Sequence, residues 1–258
     1  MFKSTLPSLA VLFLCLALQA CATTSSNKKN SDNNNSVITE TTQATPAVVN
    51  PDPFEKVNRR IFEFNQDFDD KILVPFARGY RKVLPKPVRI AVYNFFITVA
   101  EPRNIINSLL QGKIHNAVDA FSRLFVNVTL GMGGLVDIAS KTGLERRIED
   151  IGQTLAVWGY GFGPYIQIPI LGPSSGRDIF GLYSYFSYED PLGYLDNETA
   201  RFSLLVLDMV DTRSRYLRAS TVFDLAAVDP YLFERESYFQ TRIDMIYDGL
   251  PPIDSYDK

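Results

Sequence analysis

Proline spacing places the tightest limit on how this chain can fold. Pro75, Pro85, Pro87 and Pro102 divide the segment from 54 to 111 into short pieces. A proline has no N–H to donate, its ring collides with the carbonyl four residues back, and the residue before it is pushed out of the helical region. Helices are therefore predicted to end near these positions: one before Pro75, then Phe76 to Val83, Val88 to Val99 and Arg103 to Gln111. Asp52-Pro53-Phe54-Glu55 opens the series with an N-cap aspartate, a first-turn proline and a capping-box glutamate. Apolar residues follow at Phe54, Val57, Ile61, Phe64, Phe68 and Ile72, the steps of an amphipathic helix.

The piece VRIAVYNFFITV is apolar on nearly every face, with only Arg89, Asn94 and Thr98 polar. Strand competes for it because β-branched and aromatic residues abound, but helix is the assignment. A helix apolar all round is either fully buried or facing lipid, and at this length it extends only about 18 Å. It could lie within one leaflet of a bilayer but not cross it. Residues 113–130 give a cleaner pattern: Ile114, Ala117, Val118, Phe121, Leu124, Phe125 and Val128 form one stripe, and His115, Asn116, Asp119, Ser122, Arg123 and Asn127 the other. GMGG (131–134) stops that helix. Ala200 to Leu217 reads as a long helix, and a last one starts at Asp229-Pro230 and ends by Gly249. No internal repeat or heptad run is visible. The sum is a mostly α-helical domain of many short elements.

A formal net charge of -3 argues against nucleic acid and against electrostatic membrane recruitment, since both want a basic face. With 46% hydrophobic residues the chain can fill a large core and have apolar surface left over. The N-terminus carries a lysine, then the apolar run LAVLFLCLALQA, shorter than the roughly 20 residues that span a bilayer. It has the shape of a secretory signal. Leu18-Gln19-Ala20-Cys21 resembles the lipobox of bacterial lipoproteins, in which the signal is cut before a lipidated cysteine; Gln19 is a less usual choice within the box. The resemblance implies lipidation at Cys21, and Ala22-Thr23 after it, rather than Asp, implies sorting to the outer membrane. The only other cysteine, Cys15, leaves with the signal. The polar, Asn/Ser/Thr-rich stretch 22–50 cannot offset its ordering entropy by burial and reads as a flexible tether.

The candidate chemistry is thin. Gly172-Pro-Ser174-Ser-Gly176 fits the G-x-S-x-G pattern of a hydrolase nucleophile. That plan needs a histidine after the serine, on a strand-turn-helix within a parallel sheet. The single histidine, His115, precedes Ser174 and faces Asp119 at i+4, a surface-pair spacing. Without a free cysteine, and with one histidine and no D-x-D-x-D-G loop, no metal site is expected. The acid pairs Glu149-Asp150 and Glu189-Asp190 read as solvated loop ends or helix caps, and Gly159-Tyr160-Gly161-Phe162-Gly163 lacks the spacing of a dinucleotide fingerprint. Shape is then the better account of the stretch 158–178. It either lines a lipid path, plugs into a partner, or is a connection folded back on the core.

Several stretches together carry a family resemblance: DPFEKVNRRIFEFNQDFD, PFARGYRKVLPKPVR, EPRNIINSLLQGK, RLFVNVTLGMGGLVDIAS, EDIGQTLAVWGYGFGPYIQIPILGPSSGRD and DPYLFERESYFQTR. In this order they resemble the MlaA/VacJ outer-membrane lipoproteins over nearly all of 52–250. Ile151, Lys56 and Val57 depart from common choices in that family. The resemblance implies a division into a signal peptide (1–20), a lipidated tether (21–51), a helical lipid-transport domain (52–250) and a short tail (251–258). It implies a ring-like helical protein seated in one membrane leaflet, beside trimeric porins. Phospholipids that have strayed into the outer leaflet would pass through its channel to a soluble periplasmic carrier. Gly131, Gly133 and Gly134, and Gly159, Tyr160, Gly161, Gly163, Pro164 and Tyr165, would shape the channel region. No enzyme activity, cofactor or nucleic-acid partner is implied. The runner-up is a passive envelope scaffold that binds a porin without moving lipid; an esterase using Ser174 is a distant third.

Overall fold

The computed structural model describes residues 52–226 and 228–252, with side chains over 52–217 and 228–252. Cys21, the tether and the signal lie outside the described residues. The first helix, α1 (Glu55–Phe68), does not end before Pro75. It continues through a π-helical turn (Asp69–Leu73) into α2 (Val74–Val83). In the widened turn the Val74 N–H bonds to the Asp69 carbonyl, five residues back. Pro75 then enters in the first turn of α2, where a missing N–H is not needed.

The expected cap at Asp52 is also corrected. The helix starts at Glu55 with Phe54 as its N-cap residue and no side-chain cap. Asp52 is instead almost fully buried. It accepts a hydrogen bond from Asn58 Nδ2 at 2.7 Å and another from the Tyr231 hydroxyl, tying the start of α1 to the last helix.

Pro102 does not break its helix either. The two predicted pieces fuse into α3 (Lys86–Leu110), with Pro102 inside it. An interior proline costs a helix about 3 kcal/mol, and the packing of α3 against α4 (Ile114–Thr129) and the long α7 (Glu198–Ala226) offsets that cost. After α4 the chain turns through Gly131–Gly134, makes a 3₁₀ turn (Ala139–Thr142) and enters α5 (Ile151–Val157), capped by Asp150, whose side chain accepts from the Gln153 N–H.

The stretch 165–175, expected as part of a loop that lines a lipid path, plugs into a partner or folds back on the core, is a two-stranded antiparallel hairpin. Strands β1 (Tyr165–Ile168) and β2 (Gly172–Ser175) pair in the register Tyr165↔Ser175 to Ile168↔Gly172. Ser175 then caps α6 (Gly176–Ser184), which runs into a π-helical turn (Tyr185–Glu189) and a 3₁₀ turn (Pro191–Tyr194) capped by Asp190. Helix α7 (Glu198–Ala226) is longer at both ends than the predicted Ala200–Leu217. The last helix, α8 (Pro230–Ile246), starts as predicted, with Asp229 accepting from the Leu232 N–H. A small apolar cluster joins Phe62, Tyr165 and Tyr231, with Leu232, Tyr238 and Phe239 packed around them.

Candidate lipid-facing surface and polar interior

Helices α3, α4 and α7 are amphipathic in the opposite sense from those of a water-soluble protein. Along α3 the buried positions are Asn94, Ile97, Thr98, Glu101, Asn104, Asn107 and Ser108, a largely polar stripe at steps of three and four. Its apolar residues Val88, Ile90, Ile106, Leu109 and Leu110 are exposed. In α4 the buried face is Asn116, Ala117, Ala120, Arg123 and Asn127, while Ile114, Val118, Phe121, Phe125 and Val128 point outward, Phe121 at 59% exposure. In α1 the buried pair is Asn58 and Phe62, with Val57, Phe64 and the following Ile72 exposed. Helix α7 buries Asp211 and Ser214 and exposes Phe202, Leu205 and Val206. No helix among the described residues is long and apolar enough to cross a membrane.

The buried stripes of α3 and α4 meet in a connected hydrogen-bond network. Arg123, 1% exposed, donates from Nε to Glu101 Oε1 at 2.9 Å, and Glu101 is fully buried. The same guanidinium reaches the Ser140 hydroxyl at 3.1 Å, the Leu144 carbonyl at 2.8 Å and Asp137 at 3.3 Å. Asn127 accepts from the Ile138 and Ala139 N–H groups and donates to Asp137 at 3.1 Å, pinning the chain that follows the glycine corner onto α4. Burial alone would raise the Asp137 pKa; the hydrogen bonds from Ser140 and Asn127 and the charge of Arg123 overcome it and hold the carboxyl at about 2. Asn104 extends the network by donating to Glu101 at 2.9 Å and accepting the Glu149 N–H at 3.1 Å. Glu149 is buried rather than solvated, and takes hydrogen bonds from Gln111 at 2.7 Å and Lys113 at 3.2 Å. Near α5, Arg242 grips Asp150 with two contacts of 2.6 and 2.9 Å. Burial pushes that carboxyl up, but Arg242 and the Gln153 donors leave it well below the usual range.

The two glycine-rich segments have separate surroundings. A Cβ on Gly131 would collide with the Val136 and Asn127 carbonyls, and one on Gly134, at φ +93°, would sit 2.8 Å from Thr98 Cβ. The 131–134 corner thus lies directly on α3 and the end of α4, with Met132 exposed and open space at Gly133. The stretch 158–165 divides. Trp158 and Tyr160 are exposed, Gly159 and Gly161 have open space around them, and Trp158 Nε1 donates to the Leu110 carbonyl at 3.1 Å. From Phe162 onward the chain packs inward. The Phe162 and Pro164 carbonyls accept from the Arg177 and Gly176 N–H groups, Gly163 lies against Gly176, and Tyr165 is fully buried in the aromatic core.

Ser174 sits on β2 opposite Ile166, in an antiparallel hairpin rather than the parallel sheet a nucleophile elbow requires. His115 is a surface residue 3.5 Å from Asp119. Among the described residues no cluster of histidine, cysteine and acid side chains could hold a metal ion. Sequence reasoning missed the buried polar stripe and with it Glu101, Asn104 and Glu149. The available signal is the spacing of Asn94, Thr98, Glu101, Asn104 and Asn107, which forms one stripe only when the helix runs through Pro102.

Comparison with known proteins gives a consistent result. A family model described as MlaA lipoprotein matches residues 50–244. An uncharacterised protein of Rickettsia typhi is 33% identical over 191 residues, 74% of this chain and 76% of the relative. The intermembrane phospholipid transport system lipoprotein MlaA of Escherichia coli (strain K12) is 32% identical over 210 residues, 77% of this chain and 79% of the relative. A solved structure from "Structural basis for maintenance of bacterial outer membrane lipid asymmetry" superimposes with a TM-score of 0.68 at 33% identity, covering 76% of this chain and 98% of that one.

Proposed function

This chain belongs to the MlaA lipoprotein family, and from that premise we propose that it removes phospholipids from the outer leaflet of the outer membrane and passes them to a soluble periplasmic carrier. The observation that carries the reading is the inversion of three helices, with largely polar stripes buried and apolar faces exposed on α3, α4 and α7. Exposed apolar area on this scale is an aggregation hazard in water and is favourable against acyl chains. Because the helices are too short or too polar to span a bilayer, they would lie in one leaflet, as amphipathic interfacial helices do. In that setting the family's lipid channel needs a polar path beside an apolar one, and no nucleophile or cofactor. Cys21 would carry the lipid anchor, residues 22–51 would act as the tether, and 52–250 as the working domain. The corners at 131–134 and 159–165 would shape the channel region, and a trimeric porin would flank the protein.

The test is the phospholipid content of the outer leaflet, measured by a surface lipid-modification assay with and without the gene. Deletion should raise that content, and both the wild-type gene and Ser174→Ala should restore it. An unchanged content would instead favour a scaffold that binds a porin without moving lipid. Failure of Ser174→Ala alone to restore it would revive a catalytic role for that serine.

A further inference from the structure

We propose that the cavity between α3, the loop at Arg146, the turns at 185–194 and α7 is a headgroup site for a zwitterionic, ethanolamine-type phospholipid, with Arg103, Arg146 and Arg201 taking the phosphodiester and Asp208 the ammonium. The inference deepens the proposed function and rests on it.

The cavity has a volume of about 250 Å³. That is below the roughly 300–1,000 Å³ of pockets that enclose a whole small-molecule ligand, so it suits a headgroup whose tails remain outside. Leu205 lines the cavity and continues onto Phe202 and Val206, which are exposed on the same helix and offer acyl chains a surface.

The charged groups of the cavity divide into satisfied and unsatisfied ones. Glu189 accepts from Asn107 at 3.2 Å and from the Ser184 hydroxyl, and Asp190 caps its turn by accepting the Leu192 N–H at 3.0 Å. The other four have capacity left. Arg103 stacks over the Tyr185 ring at 5.2 Å, and its Nε is buried without a hydrogen-bond partner. Arg146 donates one N–H to the Tyr93 hydroxyl at 3.2 Å, and its Nε is likewise buried and unpartnered. The Arg201 guanidinium and the Asp208 carboxylate make no side-chain hydrogen bond or ion pair with any described residue. Burial raises the Asp208 pKa, with Asp211 and Asp190 adding to the effect and Arg103 opposing it.

Buried polar atoms without partners are rare in native folds, and here two of them, the Nε atoms of Arg103 and Arg146, share one cavity with the half-buried Arg201 and Asp208. Guanidinium recognises phosphate through paired, charge-assisted hydrogen bonds. An ammonium brings donors and no acceptor, the complement of a carboxylate. A purely anionic headgroup would satisfy the arginines and leave Asp208 facing like charge, which is why the zwitterion fits better.

The test uses the full-length protein in detergent and measures binding of dihexanoyl phosphatidylethanolamine and dihexanoyl phosphatidylglycerol, with inorganic phosphate as competitor. Arg201→Gln should weaken both lipids about tenfold, the equivalent of one charge-assisted hydrogen bond. Asp208→Asn should weaken the ethanolamine lipid about tenfold and leave the glycerol lipid as tight or tighter. Asp208 has no partner in the fold to lose, so this variant should stay folded, and its melting temperature checks that. Three results would overturn the site: equal effects of Asp208→Asn on both lipids, no effect of Arg201→Gln, or displacement of lipid by phosphate at equal concentration, which would mark a general anion site. If wild type binds the lipids and neither variant matters, the headgroup site is wrong and the transport reading stands. If wild type binds neither lipid, the transport reading itself fails.

Discussion

Glu101→Ala tests whether the polar interior holds this fold together. Glu101 is fully buried and is the closest acidic partner of Arg123, itself 1% exposed; it also accepts from Asn104. Removing it leaves a buried guanidinium with Asp137 at 3.3 Å and with the neutral Ser140 hydroxyl and Leu144 carbonyl, and leaves the Asn104 amide short of an acceptor. Breaking a buried ion pair by deleting one partner costs about 3–5 kcal/mol, against a total stability of roughly 5–15 kcal/mol for a typical domain. At about 2–4 °C per kcal/mol for a chain of this size, the melting temperature in detergent, followed by circular dichroism, should fall by roughly 6–20 °C. The control is Phe121→Ser on the outer face of α4. A buried phenylalanine cut back this far would cost about 3–5 kcal/mol, but an outward-facing one should change stability in detergent by no more than about 0.5 kcal/mol. A double variant, Glu101→Met with Arg123→Met, should be less destabilised than the sum of its single changes, by the roughly 0.5–3 kcal/mol of coupling usual within one network. A larger cost for Phe121→Ser than for Glu101→Ala would make the apolar face the true core and refute a polar interior.

Gly134→Ala combines a left-handed backbone with a Cβ 2.8 Å from Thr98, so it should lose about 1–3 kcal/mol in a thermal melt, whereas Gly161→Ala, in open space, should stay within about 0.5 kcal/mol of wild type. The Asp208 carboxyl has a folded pKa raised above its unfolded value, first by burial and then by Asp211 and Asp190. The folded state therefore holds this proton more tightly, and stability should fall as pH rises from near 3.8 through the raised value; Asp208→Asn should remove that part of the decline in pH-dependent melts. Cys21→Ala should accumulate as an unacylated precursor, and incorporation of labelled palmitate by that variant would refute the lipobox reading.

What could be read from the sequence was local. Asp229-Pro230 marked the start of α8 because a cap and a first-turn proline act through their nearest neighbours, and the 113–130 pattern located α4 to within a residue at each end. Asp52 has the same local grammar as Asp229, yet it is used by Asn58 and by Tyr231, which lies far along the chain. Nothing within a few residues announces that partner. Pro75 and Pro102 misled for a related reason: a π-helical turn absorbs the first, and packing across α3 and α4 outweighs the second. The hairpin 165–175 was hidden among glycines and prolines, and its anchors are distant. Asn58 donates to the Tyr165 carbonyl and accepts the Gln167 N–H, while Asn65 binds the Ile168 carbonyl and the Ile170 N–H. The periodicity found the stripes; only the structure says which stripe faces inward.

That orientation follows from the solvent the protein is proposed to occupy. In water, an apolar stripe is driven into the core because burial removes it from water. Against acyl chains this drive disappears, and helices associate through close packing and interhelical hydrogen bonds. The inner face of α4 has this composition: Ala117 and Ala120 are small enough to permit close approach, and Asn116, Arg123 and Asn127 supply the polar contacts. Their partners, Glu101 on α3 and Asp137 and Glu149 on the loops beyond α4, fix the register of these elements by hydrogen bonds that have directions and lengths. An apolar interface could slide by a turn at little loss; a buried Arg123–Glu101 pair could not. The outer faces are then free to meet any lipid without bearing on the fold, and polar groups left over inside, such as Arg103 and Arg146, can line a cavity without competing with the contacts that hold the helices in place.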